Sequence, residues 1–514
     1  MCGGAVAQKQ NGAWKIVGMH HAGDSMMHGN AFQINLGNAA QGVVVEVQKN
    51  PKPIYNPTKT KLRKSPLYGL CEPTMGPAPL HPKDSRIEIE IPNLVKNAAA
   101  KYRVDHFEPE EPNFSRAYVD TTRRVFSATG RCGMWTIEQA LSGNGSNPVD
   151  MTTSPGRKYV DQGMTKKDLV VRNDAGILVP TPGFRRDVEE CMNRIVEGQA
   201  QTTFTANLKD ELRPLTKIAQ GGARCIEACE FDFVVCHRMI LGELFEKIYD
   251  TEMTRTGIAV GCNPYTDFHA FNATANDNWY AIDYSRYDGS LSEGLMRKGV
   301  EVMADCHEDP ELVKNLLEPV VVSTHMVADE IWTVKGGMPS GSPCTSVLNS
   351  ICNLLVVKTA ALSCGVETPE EIQIITYGDD VLMTTPDPFD DENLPKTIKE
   401  QFGMEATSAD KKSTILAVDR EEATFLKRNF RWFPGTHFVT GVLDWESMRQ
   451  KIQWCHGFEA FTQQWESFTQ ELVLHGKIAY ERTVKECAPR LDKYKIYTPK
   501  FEDRYREVYQ SIFV

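Results

Sequence analysis

Residues 374–383, Ile-Ile-Thr-Tyr-Gly-Asp-Asp-Val-Leu-Met, set two adjacent carboxylates between two apolar runs. Apolar runs flanking a Gly-Asp step read as two strands and a tight turn. Hairpin tips are where a rigid scaffold can aim side chains at one spot. Neighbouring like charges disfavour each other's ionisation unless something positive sits between them. What that positive group is decides what the chain can do.

The 514 residues are too many for one ordinary domain, so two or more packed units are expected. A 41% hydrophobic share with 24% charged residues describes a globular chain. No apolar run reaches bilayer-crossing length, and no signal-peptide pattern opens the sequence. The 14 cysteines are scattered, which favours reduced thiols in a cytosolic setting over a disulfide framework or a zinc cluster. The net charge of −11 argues only weakly against a nucleic-acid partner, because binding depends on where local positive groups lie. Basic stretches exist at 156–167 and 209–224.

Along the chain, the first forty residues read as short strands and turns, followed by a Pro- and Lys-rich extended connector at 48–66. Residues 279–285 read as a buried strand and 291–307 as an amphipathic helix. The Gly/Ser/Pro loop 336–343 feeds a long apolar helix over 344–365, stopped by Gly365. Beyond about 437 the pattern is mostly helical.

Asp283 ends the apolar strand that begins at Trp279, and Asp379 and Asp380 tip the hairpin about a hundred residues later. A lone Gly-Asp-Asp is ordinary turn chemistry. Here the same account must cover Asp283, Asp288 and the loop at Ser340, all in order. Clustered carboxylates without His or Cys suit hard, oxygen-seeking cations, and Mg2+ is held by one or two carboxylates plus substrate phosphates. Two such ions can clamp the attacking and leaving oxygens of a displacement at phosphorus. Magnesium is the expected positive group.

The segments 281–292 (AIDYSRYDGSLS), 336–350 (GGMPSGSPCTSVLNS), 376–380 (TYGDD), 406–412 (ATSADKK) and 425–428 (FLKR) resemble, in order and spacing, the palm motifs of picornavirus-like RNA-dependent RNA polymerases. Upstream, 151–160 (MTTSPGRKYV) and 209–228 resemble that family's template-channel and nucleotide-channel finger motifs. The phrase KTKLRKSPLYG at 59–69 leans toward the dicistrovirus-like or marnavirus-like branch.

The resemblance implies an α+β right-hand polymerase with an antiparallel palm sheet backed by helices. Fingers with part of the palm would occupy 70–278 and 307–338, the palm 279–306 and 339–435, and the thumb 436–514, after a linker and N-terminal extension at 42–69. It also implies roles. Asp283, Asp379 and Asp380 would be catalytic and hold two Mg2+ ions, with Mn2+ as a substitute. Asp288, Ser340, Gly341, Thr345 and Asn349 would sense the ribose, since a 2′-OH both donates and accepts. Lys209, Arg213, Lys217 and Arg224 would line the nucleotide path, although each could equally be a solvated helix-face cation. Lys411, with Lys412 as the one-position alternative, would protonate departing pyrophosphate. Ser154 and Gly156 would meet template RNA, and Lys427 and Arg428 the primer phosphates.

The implied partners are RNA template and primer, nucleoside triphosphates, a small protein primer and other viral replication proteins, at membrane-associated complexes in host cytoplasm. Three departures from the pattern stand out. Gly222-Ala223-Arg224 lacks a usual lysine, and Pro343-Cys344 replaces smaller residues in the palm loop. Arg157-Lys158 replaces an aromatic-proline pair, which shifts the expected grip on template from stacking to phosphate attraction.

Residues 1–41 resemble the end of a chymotrypsin-like 3C cysteine protease, with Cys2 at the nucleophile and His20 at the residue that reads a P1 glutamine. The nucleophile needs a base, and the family's histidine and acid lie upstream, so no proteolysis is expected from this chain alone. Gln41-Gly42 looks like a scissile junction. Three other readings compete: a reverse transcriptase, a non-catalytic RNA-binding scaffold, and a protease precursor with a passenger domain.

Overall fold

The structure, a computed structural model, describes residues 44–514 apart from 55–58, 110, 410, 412–413 and 514, and the backbone of 5–10, 13–23, 29–33 and 39–40. Cys2 and the Gln41-Gly42 junction lie outside the described residues, as does the side chain of His20. The strands 5–10, 13–23 and 29–33 form an antiparallel three-stranded sheet.

The palm is built from β1 (Asn278–Ser285), α1 (Glu293–Asp305), α2 (Thr345–Ser363), β2 (Gln373–Tyr377), β3 (Asp380–Thr385) and β4 (Glu405–Ser408). The strands form an antiparallel sheet in the order β2-β3-β1-β4. Their apolar runs are nearly continuous because both faces are covered. Tyr280, Ile282 and Tyr284 pack into the large core with Val381 and Met383, whereas Trp279 and Ala281 pack on the other side with Phe271, Phe430 and Leu382.

Helix α1 starts where the Ser292 hydroxyl accepts the Leu295 amide at 3.1 Å. Helix α2 is long and apolar enough by composition to cross a membrane, against the reading of the bare sequence, but it is almost wholly enclosed and forms the axis of the core.

A second, five-stranded sheet runs 225–228, 203–208, 322–327, 330–335 and 44–49. Its last strand, Val44–Lys49, takes in the first two residues of the expected extended connector and pairs along Glu330–Lys335 as an edge strand. Further on, Arg63–Lys64 pairs with Trp454–Cys455, and Met75–Pro77 with Leu212–Pro214, so this stretch straps the C-terminal helices to the upstream region. The chain closes with a three-stranded sheet over 424–443 and helices at 445–451, 458–473, 477–491 and 501–513. The 13 described cysteines are free, as their spacing implied.

Candidate active site

Ile282 pairs with Val381 and Tyr377 with Asp380, so the next residue of β1, Asp283, comes level with the hairpin tip. Gly378 takes a left-handed φ of 63° in the two-residue turn, a conformation glycine adopts without penalty. Asp379 stands exposed in that turn and Asp380 is half-buried beside it.

Both carboxyls of the tip are pushed up. For Asp379 the causes are burial by surrounding protein and then the charge of Asp288, opposed by Arg224. Asp380 is pushed up to about 6 by burial and by Asp379, with Lys427 pulling the other way. Asp283 differs, because its carboxylate is ion-paired with Lys411. Among the described residues no three His, Cys, Asp or Glu side chains converge as a ready-made metal cage. The three expected metal ligands thus stand as a pair with raised carboxyls and a third acid held by a lysine. Such a partial donor set still fits Mg2+, which takes few carboxylates and completes its shell with phosphates and water. The raised acids are short of positive charge, and a divalent ion would supply it.

Next to the tip, Asp288 is fully engaged. Asn349 donates from Nδ2 to its Oδ1 at 2.8 Å, and the Ser340 hydroxyl donates to its Oδ2. Thr345 makes no bond to this group; its hydroxyl serves the Pro339 and Ser342 carbonyls at 3.1 and 2.7 Å, closing the first turn of α2. Gly341 is required by space, since a Cβ there would lie 2.3 Å from the Glu227 carbonyl oxygen.

Behind Ser340 lies a network that sequence reading missed. Lys101 donates to the Ser340 hydroxyl and to Glu227 Oε2, the latter at 2.9 Å, and stands 3.7 Å from Asp288. Glu227 is fully buried; it also accepts from the Tyr102 hydroxyl at 2.8 Å and the Ser340 amide at 3.0 Å, and it meets His325 Nδ1 at 3.1 Å. The other ring nitrogen of His325 bonds Ser323 at 2.7 Å. The Lys101 charge first, with the contact to His325, outweighs the cost of burial and holds Glu227 well below the ordinary carboxylate range. No local motif marks these residues; only a lysine or acid at an otherwise apolar stretch hinted at them.

A cavity of about 250 Å³ opens between the tip and this network, lined by Lys209, Arg224, Asp288, Ser340, Asn349 and Asp379. Its cations are partly spoken for: Arg224 forks onto Glu211 with two contacts of 2.6 Å, and Lys209 meets the same acid at 3.2 Å. Arg213 is half-buried and donates to the Gly222 carbonyl at 3.0 Å. Burial disfavours the protonated form of Lys411, and so do the charges of the exposed Lys217 and of Lys427. Lys412 lies outside the described residues.

Three expectations for RNA contact are corrected. Arg428 is not free for phosphate; it is held by Glu471 at 2.9 Å and donates to the Gly441 carbonyl at 2.7 Å. Arg157 pairs with Asp161 at 2.6 Å and Lys158 with Asp232 at 2.7 Å, so the phosphate attraction expected of them is largely cancelled. Gly156 packs on Glu230, where a Cβ would fall 2.8 Å from its Cα, so this glycine serves packing. Ser154 is exposed and accepts the Gly156 amide at 3.2 Å, and Lys427 is exposed near the tip.

Comparison with known proteins bears on the same residues. The profile of a family described as "Viral RNA-dependent RNA polymerase" matches 71–492. The genome polyprotein of Ljunganvirus 1 is 42% identical over 520 residues, covering 100% of this chain and 23% of the polyprotein. That of Human parechovirus 2 (strain Williamson) is 41% identical over 511 residues, 98% of this chain and 23% of the polyprotein. The chain thus spans under a quarter of the length of these relatives. They are picornaviral, so the leaning that 59–69 suggested toward dicistrovirus-like or marnavirus-like sequences is set aside. In fold, the chain resembles the Sicinivirus 3Dpol RNA dependent RNA polymerase with a TM-score of 0.80 at 24% identity, over 92% of this chain and 100% of that one.

Proposed function

This chain belongs to the viral RNA-dependent RNA polymerase family, and from that premise we propose that it joins nucleoside triphosphates to an RNA 3′-hydroxyl under the direction of an RNA template. The family uses divalent metals. The finer reading is two Mg2+ ions, with Mn2+ as a substitute, held by Asp379, Asp380 and, once Lys411 lets go, Asp283. When bound, such ions lower the charge on the reacting phosphate and favour the attacking and departing oxygens.

The chain's own residues do the rest. Asp288, fixed by Ser340 and Asn349, offers acceptors that demand a 2′-hydroxyl, and an analogue lacking it leaves buried polar groups unpaired. Arg224 and Lys209 lie along the cavity to meet triphosphate oxygens, exchanging Glu211 for substrate. Once free of Asp283, Lys411 gives up a proton more readily than an isolated lysine, through burial first and then the charges of Lys217 and Lys427, and suits pyrophosphate departure. Lys427 meets primer phosphate. In this reading RNA template, primer and nucleotides are the substrates, with a small protein primer and other replication proteins as partners, at membrane-associated sites in host cytoplasm.

One observation carries the proposal: Asp379, beside Asp380 at a tip whose carboxyls are both pushed up, faces a rigidly bonded Asp288 across a cavity with cationic walls. A reverse transcriptase would be expected to carry a bulky residue in place of Asp288. The test is single-nucleotide extension of a labelled RNA hairpin with Mg2+. Wild type should extend with NTP far better than with dNTP, and Asp283→Asn should not extend. A dNTP preference would favour the rival, and unchanged behaviour of Asp379→Ala would favour a scaffold.

A further inference from the structure

The turn that carries Asp379 is gripped from behind by one helix. The Gly378 amide donates to the Ser350 hydroxyl at 2.9 Å, and Asn353 donates from Nδ2 to the Gly378 carbonyl at 2.9 Å. Both of the glycine's backbone groups are thus taken by α2 side chains one helical turn apart. The Ser350 hydroxyl passes its own proton to the Ser346 carbonyl at 2.6 Å, so it must act as acceptor toward the turn. The Ser350 carbonyl takes the Thr376 hydroxyl at 3.1 Å, one residue before Tyr377. Ser350 and Asn353 are fully buried.

Steric confinement does not hold the tip. A Cβ built on Gly378 would meet nothing within 4 Å. The turn also carries two acids that repel each other. What sets its position against the rest of the palm is the sheet register on one side and these hydrogen bonds on the other. The same stretch of α2 carries Asn349, which bonds Asp288, and the Asn349 carbonyl accepts from the Tyr287 hydroxyl at 2.9 Å. One rigid helix therefore references both the sugar-reading acid and the cation-seeking acids.

We propose that Ser350 and Asn353 are positioning residues for the Asp379–Asp380 pair, setting its affinity for divalent cation without touching substrate. The proposal rests on the reading of that pair as the metal-holding acids. Loss of either anchor leaves a half-buried Gly378 amide or carbonyl without its protein partner, and the tip then relaxes away from the geometry that two carboxylates must keep to share an ion.

The experiment compares Ser350→Ala and Asn353→Leu with wild type by Mn2+ binding, read by electron paramagnetic resonance without nucleotide or RNA. Mn2+ affinity should fall on the order of 10-fold in each variant. The Mg2+ concentration for half-maximal extension should rise in parallel, with the NTP-over-dNTP preference unchanged. Wild-type Mn2+ affinity in both variants, or a loss of sugar preference with metal affinity intact, would overturn the proposal while leaving the polymerase reading in place. Loss of the folded state in both, seen by circular dichroism, would make the residues merely structural and overturn it too. Absence of Mn2+ binding by wild type would sink the reading of the acid pair and this proposal together.

Discussion

Asp288 and Asp379 line one cavity, with Asp380 next along the chain, yet the fold treats the two places in opposite ways. Asp288 has donors on both oxygens and Lys101 nearby, so its charge is compensated inside the protein. Asp379 and Asp380 have only the more distant Arg224 and Lys427 against burial and neighbouring acids, and their carboxyls are pushed up. A reader of hydroxyl groups must be held rigid while keeping an acceptor free for the sugar, so that a wrong sugar leaves it unpaired. A metal-holding pair must be left wanting positive charge, which costs stability until a cation arrives. The contrast separates recognition from chemistry within a few residues.

The contrast can be broken most sharply at its acidic half. Asp379→Asn should lower the extension rate by several kcal/mol of barrier, on the order of a thousandfold, with folding retained because a repulsion is removed. Next in size, Asp288→Ala should reduce NTP-over-dNTP preference by at least about 100-fold in single-nucleotide extension, with less effect on the rate for NTP.

Third comes the support beneath Asp288. Glu227→Gln leaves Lys101 without its buried counter-charge, so urea unfolding should show a loss of roughly 3 kcal/mol, together with weaker sugar preference. Unchanged stability would show that Asp288 does not depend on that network.

A pH measurement follows. The folded value for Asp380 is about 6, above its ordinary 3.8, so the folded protein binds this proton more tightly than the unfolded chain does. Its contribution to stability is greatest below 3.8 and is lost as pH rises through 6. Cation binding should run the other way, with Mn2+ affinity weakening as pH falls through 6. Asp379→Asn should move that midpoint down by removing the like charge.

The smallest effects concern RNA. Lys427→Gln should reduce the salt slope of RNA binding by about 1, whereas Arg428→Gln should leave the slope alone and lower the melting temperature instead. An equal slope change for Arg428→Gln would mean that its pair with Glu471 opens for phosphate.

The strands around the tip were legible because their signals are local: apolar runs bounded by Gly-Asp, and a helix stopped at Gly365. Asn349 and Ser340 could be found through the resemblance and stand beside Asp288. The misreadings within the site were of one kind. Arg428, Arg157 and Lys158 looked available because a cation in a sequence shows no partner, while Glu471, Asp161 and Asp232 neutralise them in space. Thr345 looked like a sugar contact but spends its hydroxyl on the start of its own helix.

Sequence alone determined where the acids sit along the chain, and which segments become the strands and the buried helix that carry them, because side-chain alternation and turn chemistry act over a few residues. Tertiary structure decided which charges are spent and which remain. Lys101 meets Glu227 across 126 positions, and Lys358 reaches Asp120 across 238. Coulomb attraction and desolvation depend on distance in space and on exclusion of water, and neither is set until the distant segments pack.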